Sequence, residues 1–174
     1  AGHTHHTHEF MFCLKGSIQQ LTNKKWQSQK MGELYIFPAG TLHNSHSLEG
    51  ESSGNVVINV ESSFFNPYDE DYLSILDEVL GKAHQNPLMT LSRKGSMAIK
   101  RSMLEFHEEK KRKKSCYRLA LRNEMQNILI TILRDSEKSS IQKTLLPSSN
   151  ELLDEVITFL KLNYNEKISI ESVL

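Results

Sequence analysis

Four histidines and a glutamate crowd the start of this chain, in the order His3-Thr4-His5-His6-Thr7-His8-Glu9. Imidazole nitrogens and a carboxylate are the ligand types of divalent transition metals. His3 and His5 stand two residues apart, which on an extended strand turns both to one face, and Glu9 keeps the same parity. A further histidine from a neighbouring strand would complete a nitrogen-rich site with one carboxylate, suited to Zn, Ni, Mn, Co or Fe. His43, set just beyond the Pro38-Ala39-Gly40 turn, is that candidate. Three neutral imidazoles and one carboxylate leave positions open for water or an effector oxygen. On the same alternation His6 and His8 face away and read as exposed strand histidines. A tag remnant would be an unbroken histidine run on which nothing downstream depends.

Here something downstream does depend on it. His3-x-His5 is followed after three residues by Glu9, and after six more by Gly16. Later comes Gly32, then five residues, Pro38-x-Gly40, two residues and His43. These spacings resemble the paired motifs of the cupin superfamily, with Ser47 standing where the second motif usually has Asn. The resemblance implies a small β-barrel, the double-stranded β-helix. It also implies a metal held by His3, His5, Glu9 and His43.

The elements around these residues follow from turn signals and periodicity. Glu9–Leu14, Ser17–Leu21, Trp26–Lys30, Leu34–Phe37, His43–Leu48 and Val56–Val60 read as short strands separated by turn residues, as in a small sandwich or barrel. Tyr35 and Phe37 share a strand face by alternation. Aromatic faces stack on sugar rings, so these two are the candidate effector-binding residues. After about residue 65 the period becomes helical. Tyr72, Ile75, Leu76, Val79 and Leu80 share one face, and Ile99, Met103 and Phe106 another. The strongest stripe is Tyr117, Leu121, Met125, Ile128 and Ile132, whose near-heptad spacing suits a dimerisation helix. Ser136–Ser149 is polar, contains Pro147 and reads as a linker.

The last stretch, Glu151 to Leu174, runs through Asn163-Tyr164 to Ile168-Ser169-Ile170, with Ser169 placed to cap a new helix. It resembles the opening of the DNA-binding domain of AraC-type transcriptional regulators. The resemblance implies a cupin sensor at residues 1–64, a helical dimerisation and linker region at 65–145, and an incomplete helix-turn-helix domain from 150 to 174. Such a protein binds a sugar or other small metabolite in the barrel, forms a homodimer, and reads DNA through a C-terminal domain truncated here. It is not an enzyme. The rival is a metal-dependent cupin enzyme of dioxygenase or isomerase type with a helical tail.

Composition narrows the classes further. Hydrophobic residues make up 38% of the 174, charged residues 24%, and Lys plus Arg equals Asp plus Glu at 21 each. A surface built throughout to grip nucleic acid or anionic lipid is therefore excluded. The charge is uneven, however: residues 66–149 hold 15 basic against 11 acidic side chains, a surplus of four. The run Lys110-Lys111-Arg112-Lys113-Lys114 falls there and reads as a solvated helix end. No stretch reaches the roughly 20 apolar residues of a membrane span. Two cysteines, Cys13 and Cys116, form no disulfide framework, and a cytoplasmic protein with reduced thiols is the simpler expectation.

Overall fold

A computed structural model describes residues 2–47, 52–65 and 68–145, with side chains described as far as Ser136. Seven strands and three helices follow one another: β1 His8–Lys15, β2 Ser17–Thr22, β3 Lys25–Lys30, β4 Leu34–Phe37, β5 His43–Ser47, β6 Gly54–Val60, α1 Glu70–Gln85, β7 Leu88–Met89, α2 Arg93–Arg112 and α3 Tyr117–Leu145. The six longer strands coincide with the sequence-predicted ones; the two-residue β7 carries too little pattern to be read.

The strands form two antiparallel sheets, β6-β1-β4-β7 and β3-β2-β5. This corrects the expected closed barrel. The ladders stop at β6 and β7 in one sheet and at β3 and β5 in the other, and the sheets are joined face to face by packing. Met11, Cys13, Ile18, Tyr35 and Phe37 fill the space between them. On its other face the four-stranded sheet packs through Phe10, Phe12, Leu34, Ile36, Val56 and Ile58 against the helices. A sheet covered on both sides needs apolar residues at consecutive positions. That is why β4 reads Leu-Tyr-Ile-Phe, all buried. The outer β2, covered on one side, alternates buried with half-buried.

Two turns have a specific chemistry. Thr22 pairs with Lys25, leaving a two-residue hairpin loop. Its residues Asn23 and Lys24 both take left-handed backbone, at φ 49° and 62°, the conformation whose twist suits a tight hairpin. Gly16 sits at φ 68°, and a Cβ there would lie 2.7 Å from the Ser52 carbonyl oxygen. The motif glycine is therefore required where the chain turns from β1 to β2.

The helices belong to the same core as the strands. Residues 1–136 form one compact unit, in which strands and helices share a hydrophobic core. α3 continues to Leu145, into the stretch read as a linker, whose residues 136–145 hold no Pro or Gly and so are compatible with a helix. The expected opening of a helix-turn-helix at 150–174 lies outside the described residues. The stripe assigned to dimerisation is used within the chain. Leu121, Met125, Ile128 and Ile132 are buried in the core, Met125 and Ile128 at 0% exposure, and Tyr117 packs on its edge. A near-heptad stripe is satisfied equally by another helix layer of the same chain, and here the sheet with α1 and α2 supplies it.

Asp135 joins α3 to the start of α2. Ser92, the N-cap of α2, accepts from the Gly95 amide at 3.1 Å. Its own hydroxyl donates to Asp135 Oδ1 at 2.6 Å, and its amide donates to Asp135 Oδ2. A carboxylate beside a helix N-terminus is favoured by the helix dipole. A Cβ on Gly95 would come within 2.7 Å of that carboxylate.

Candidate functional site

The first residues of a chain fray unless something ties them down. Here the backbone of β5 does so. His3 donates to the His43 carbonyl at 2.9 Å and accepts from the His43 amide at 3.1 Å, and the Gly40 amide donates to the His5 carbonyl at 2.9 Å. Gly40, at φ 78°, closes the Pro38-Ala39-Gly40 turn and leads the chain into β5 at His43. The motif glycine and proline thus bring the N-terminal segment and His43 side by side.

Three of the four sequence-predicted ligands converge. One ring nitrogen from each of His3, His5 and His43 lies within 4.8 Å of the other two. His3 is exposed, His5 half-buried and His43 buried. Nitrogens bound to one ion at 2.0–2.1 Å stand about 3–4 Å apart, so the cluster is slightly wider than a closed coordination shell. Glu9, expected as a fourth ligand, is buried and lies with Oε2 3.1 Å from His5 Nε2.

The tautomers are set by backbone carbonyls. His43 Nδ1 donates to the Thr41 carbonyl at 2.9 Å. That leaves a lone pair on Nε2, which is buried and has no hydrogen-bond partner among the described residues. An unpartnered buried acceptor is costly, and a lone pair held this way is what a metal takes from histidine. His5 Nδ1 donates to the Thr7 carbonyl at 2.8 Å, with the Thr7 hydroxyl 3.0 Å from the same nitrogen. Its Nε2 then faces a carboxylate, an arrangement that a second proton or a metal cation shared with Glu9 would satisfy. Burial pushes the His43 imidazole below its usual range, against the opposite pull of the Thr41 carbonyl and Glu9. A neutral ring is the ligating form. The donor set therefore fits a divalent cation.

Tyr35 and Phe37 share the inter-sheet face as expected, but that face is closed. Both are fully buried. The Tyr35 hydroxyl donates to Gln27 Oε1 at 2.8 Å and lies 2.9 Å from Thr22 Oγ1. Phe37 stacks on His43. They are structural supports of the cluster and offer no open platform to a ligand. Concave space instead adjoins the cluster from outside. A cavity of about 410 Å³ is lined by Gly2, Leu21, Asn23, Lys24, Leu42 and His43.

Sequence reasoning missed two things. His8, read as exposed, is buried against Phe65; its Nδ1 accepts from the Ala39 amide at 3.1 Å, and its Nε2 lies 3.2 Å from Ser62 Oγ. Thr7 and Thr41, whose carbonyls set the two tautomers, act through backbone atoms and carry no side-chain signature. Both follow the same rule, a carbonyl two residues from the imidazole it holds.

No protein-family model matches this sequence, and no curated protein does. Among solved structures the fold is similar to that of the AraC-like transcriptional activator CuxR. That likeness has a TM-score of 0.52 at 9% identity and covers 97% of this chain and 55% of that one. A looser likeness, with a TM-score of 0.41 at 10% identity, is to an apo variant of ToxT from Vibrio cholerae, covering 98% of this chain and 61% of that one. The chain spans little more than half the length of either.

Proposed function

We propose that this chain is the sensing part of a cytoplasmic, effector-responsive transcription regulator. The observation that carries this reading is the fold: two packed sheets followed by three helices, similar over 97% of the chain to an AraC-like transcriptional activator. His3, His5 and His43, with Glu9 beside His5, would hold a divalent cation. When bound, that ion would offer open coordination positions to an oxygen of a small effector such as a sugar. The adjoining cavity of about 410 Å³ has the size of a small-molecule pocket. DNA would be read by a further domain, and two copies of the chain would pair.

An effector acts on such a regulator only through different affinities for its two states. The element placed to report a change is α3. It is fastened to α2 through Asp135 and Ser92. The test is chromatin immunoprecipitation of the gene product in its own host. Discrete enrichment at promoters is the expected result; enrichment no higher than that of an unrelated cytoplasmic protein would overturn the reading.

A further inference from the structure

A second concave site lies where α2 ends and α3 begins, and it shares no residue with the histidine cluster. Two adjoining cavities of about 320 and 310 Å³ meet over Phe64, Lys110 and Leu121. Their apolar wall is Phe64, Phe106 and Leu121, with the Phe64 and Phe106 rings 6.1 Å apart. The cations at the rim are Lys110, Lys113, Arg118 and Arg122, against a single carboxylate, Glu61. Among the described residues none of these four cations forms an ion pair; the nearest salt bridge, Arg112 to Glu108 at 3.0 Å, uses the neighbouring residue.

Helix stability explains only half of this charge. Cations are favoured at the C-terminus of a helix, where Lys110 stands, and disfavoured at the N-terminus. Arg118 stands in the first turn of α3, which contains no acid, and Arg122 one turn later. Helix dipole and guanidinium therefore add, and a recess lined by one sign of charge focuses ions of the other. Arg118 is exposed, and its Nε donates to the Tyr117 hydroxyl at 3.3 Å.

We propose that this groove binds a small amphipathic dianion, a phosphate monoester on a flat apolar body. The phosphate would sit on Arg118 and Arg122, whose guanidinium forks match its oxygens, with Lys110 and Lys113 beside it. The apolar body would cover the half-buried Phe64, which packs on the buried Phe106 behind it. The two volumes together fall in the range of small-molecule pockets. A duplex DNA backbone carries the same charge but would leave that aromatic wall unfilled.

The test is titration of the 174-residue chain with phenyl phosphate, followed through the Arg118 and Arg122 side-chain Nε–H NMR signals. The expected result is saturable binding at least about tenfold tighter than that of inorganic phosphate or benzoate, a difference of about 1.4 kcal/mol. Affinity drops more than about tenfold in the Arg118→Ala/Arg122→Ala variant, whose exposed positions leave the fold intact. In Phe64→Leu, phosphate still binds but the preference for phenyl phosphate shrinks. Any of four results would overturn the proposal: no saturation, equal affinity for phenyl and inorganic phosphate, benzoate binding as tightly, or undiminished binding in the double variant. Arginine-dependent binding of random duplex DNA without binding of phenyl phosphate would overturn it in favour of a nucleic-acid contact.

Discussion

Phe37 and His43 lie ring on ring, their centroids 4.0 Å apart and their planes 21° from parallel. With Nδ1 bonded to the Thr41 carbonyl, the stack leaves the His43 imidazole no freedom to turn, so its unpartnered Nε2 is fixed in the cluster. Phe37 thus acts on the site by packing against a ligand ring, with no donor atom of its own to offer a cation. Phe37→Leu keeps the site apolar and is expected to lower stability by roughly 1.5 kcal/mol or less. It should weaken divalent-cation affinity by about 10- to 100-fold, as the loss of an orienting neighbour does. Competition titration against a chelator measures this; wild-type affinity in a folded variant would show that the stack does not matter.

The junction between α2 and α3 gives a second expectation. In Gly95→Ala the new Cβ meets the Asp135 carboxylate at 2.7 Å, and overpacking of this kind costs about 1–3 kcal/mol. Asp135→Ala removes the carboxylate from Ser92 and should cost about 1–2 kcal/mol, as a lost cap does. Because both act on one contact, the double variant should be more stable than the two losses summed. Urea denaturation of the four proteins decides; strict additivity would mean that Gly95 and Asp135 do not communicate.

α3 separates two kinds of apolar residue. Ile128 is wholly buried, and Ile128→Glu places an unpaired charge in the core, at a cost of several kcal/mol. Leu119 is 59% exposed, and Leu119→Glu should change stability by no more than about 0.5 kcal/mol. Circular dichroism should find the first chain unfolded and the second native. A folded, monomeric Ile128→Glu protein would return that stripe to the role of an interface between copies.

Much of this fold is legible in the residues because burial leaves a pattern. The alternation in β2, the continuous apolar run in β4 and the Pro38-x-Gly40 turn each state what their strand must do. His3, His5 and His43 are grouped through the cupin-like spacings. The shared strand face expected for His3 and His5 is absent, since β1 begins only at His8, and an isolated bridge from His3 to His43 joins the segments instead. What the residues could not state was the partner of a buried face. The α3 stripe reads the same against a second copy as against its own sheet, and Tyr35 with Phe37 reads the same beneath a sugar as between two sheets. The buried state of His8 depends on Ser62 and Phe65, more than fifty residues away, and no local pattern carries that information.

Two histidines make stability depend on pH. Burial pushes His8 below its ordinary value of 6.5, with His84 adding to the effect, and burial likewise lowers His43. As pH falls through about 6.5 the unfolded chain takes up protons at these positions before the folded chain does, so stability falls with pH. Their contribution is complete above the ordinary imidazole range and is lost as pH drops from there towards the lower folded values. The urea midpoint should therefore decline from pH 7.5 to pH 5.5, and His8→Gln should flatten that slope. A midpoint that rose on acidification would contradict the burial of these rings.

Metal analysis of protein purified without an immobilised-metal column, for wild type and for His43→Ala, tests the histidine centre most directly. The expected result is about one divalent ion per chain in wild type, present on isolation or after reconstitution with Zn, Ni, Mn, Co or Fe, and its loss in the variant. Equal metal content in both, or none in either after reconstitution, would contradict a cation held by His3, His5 and His43.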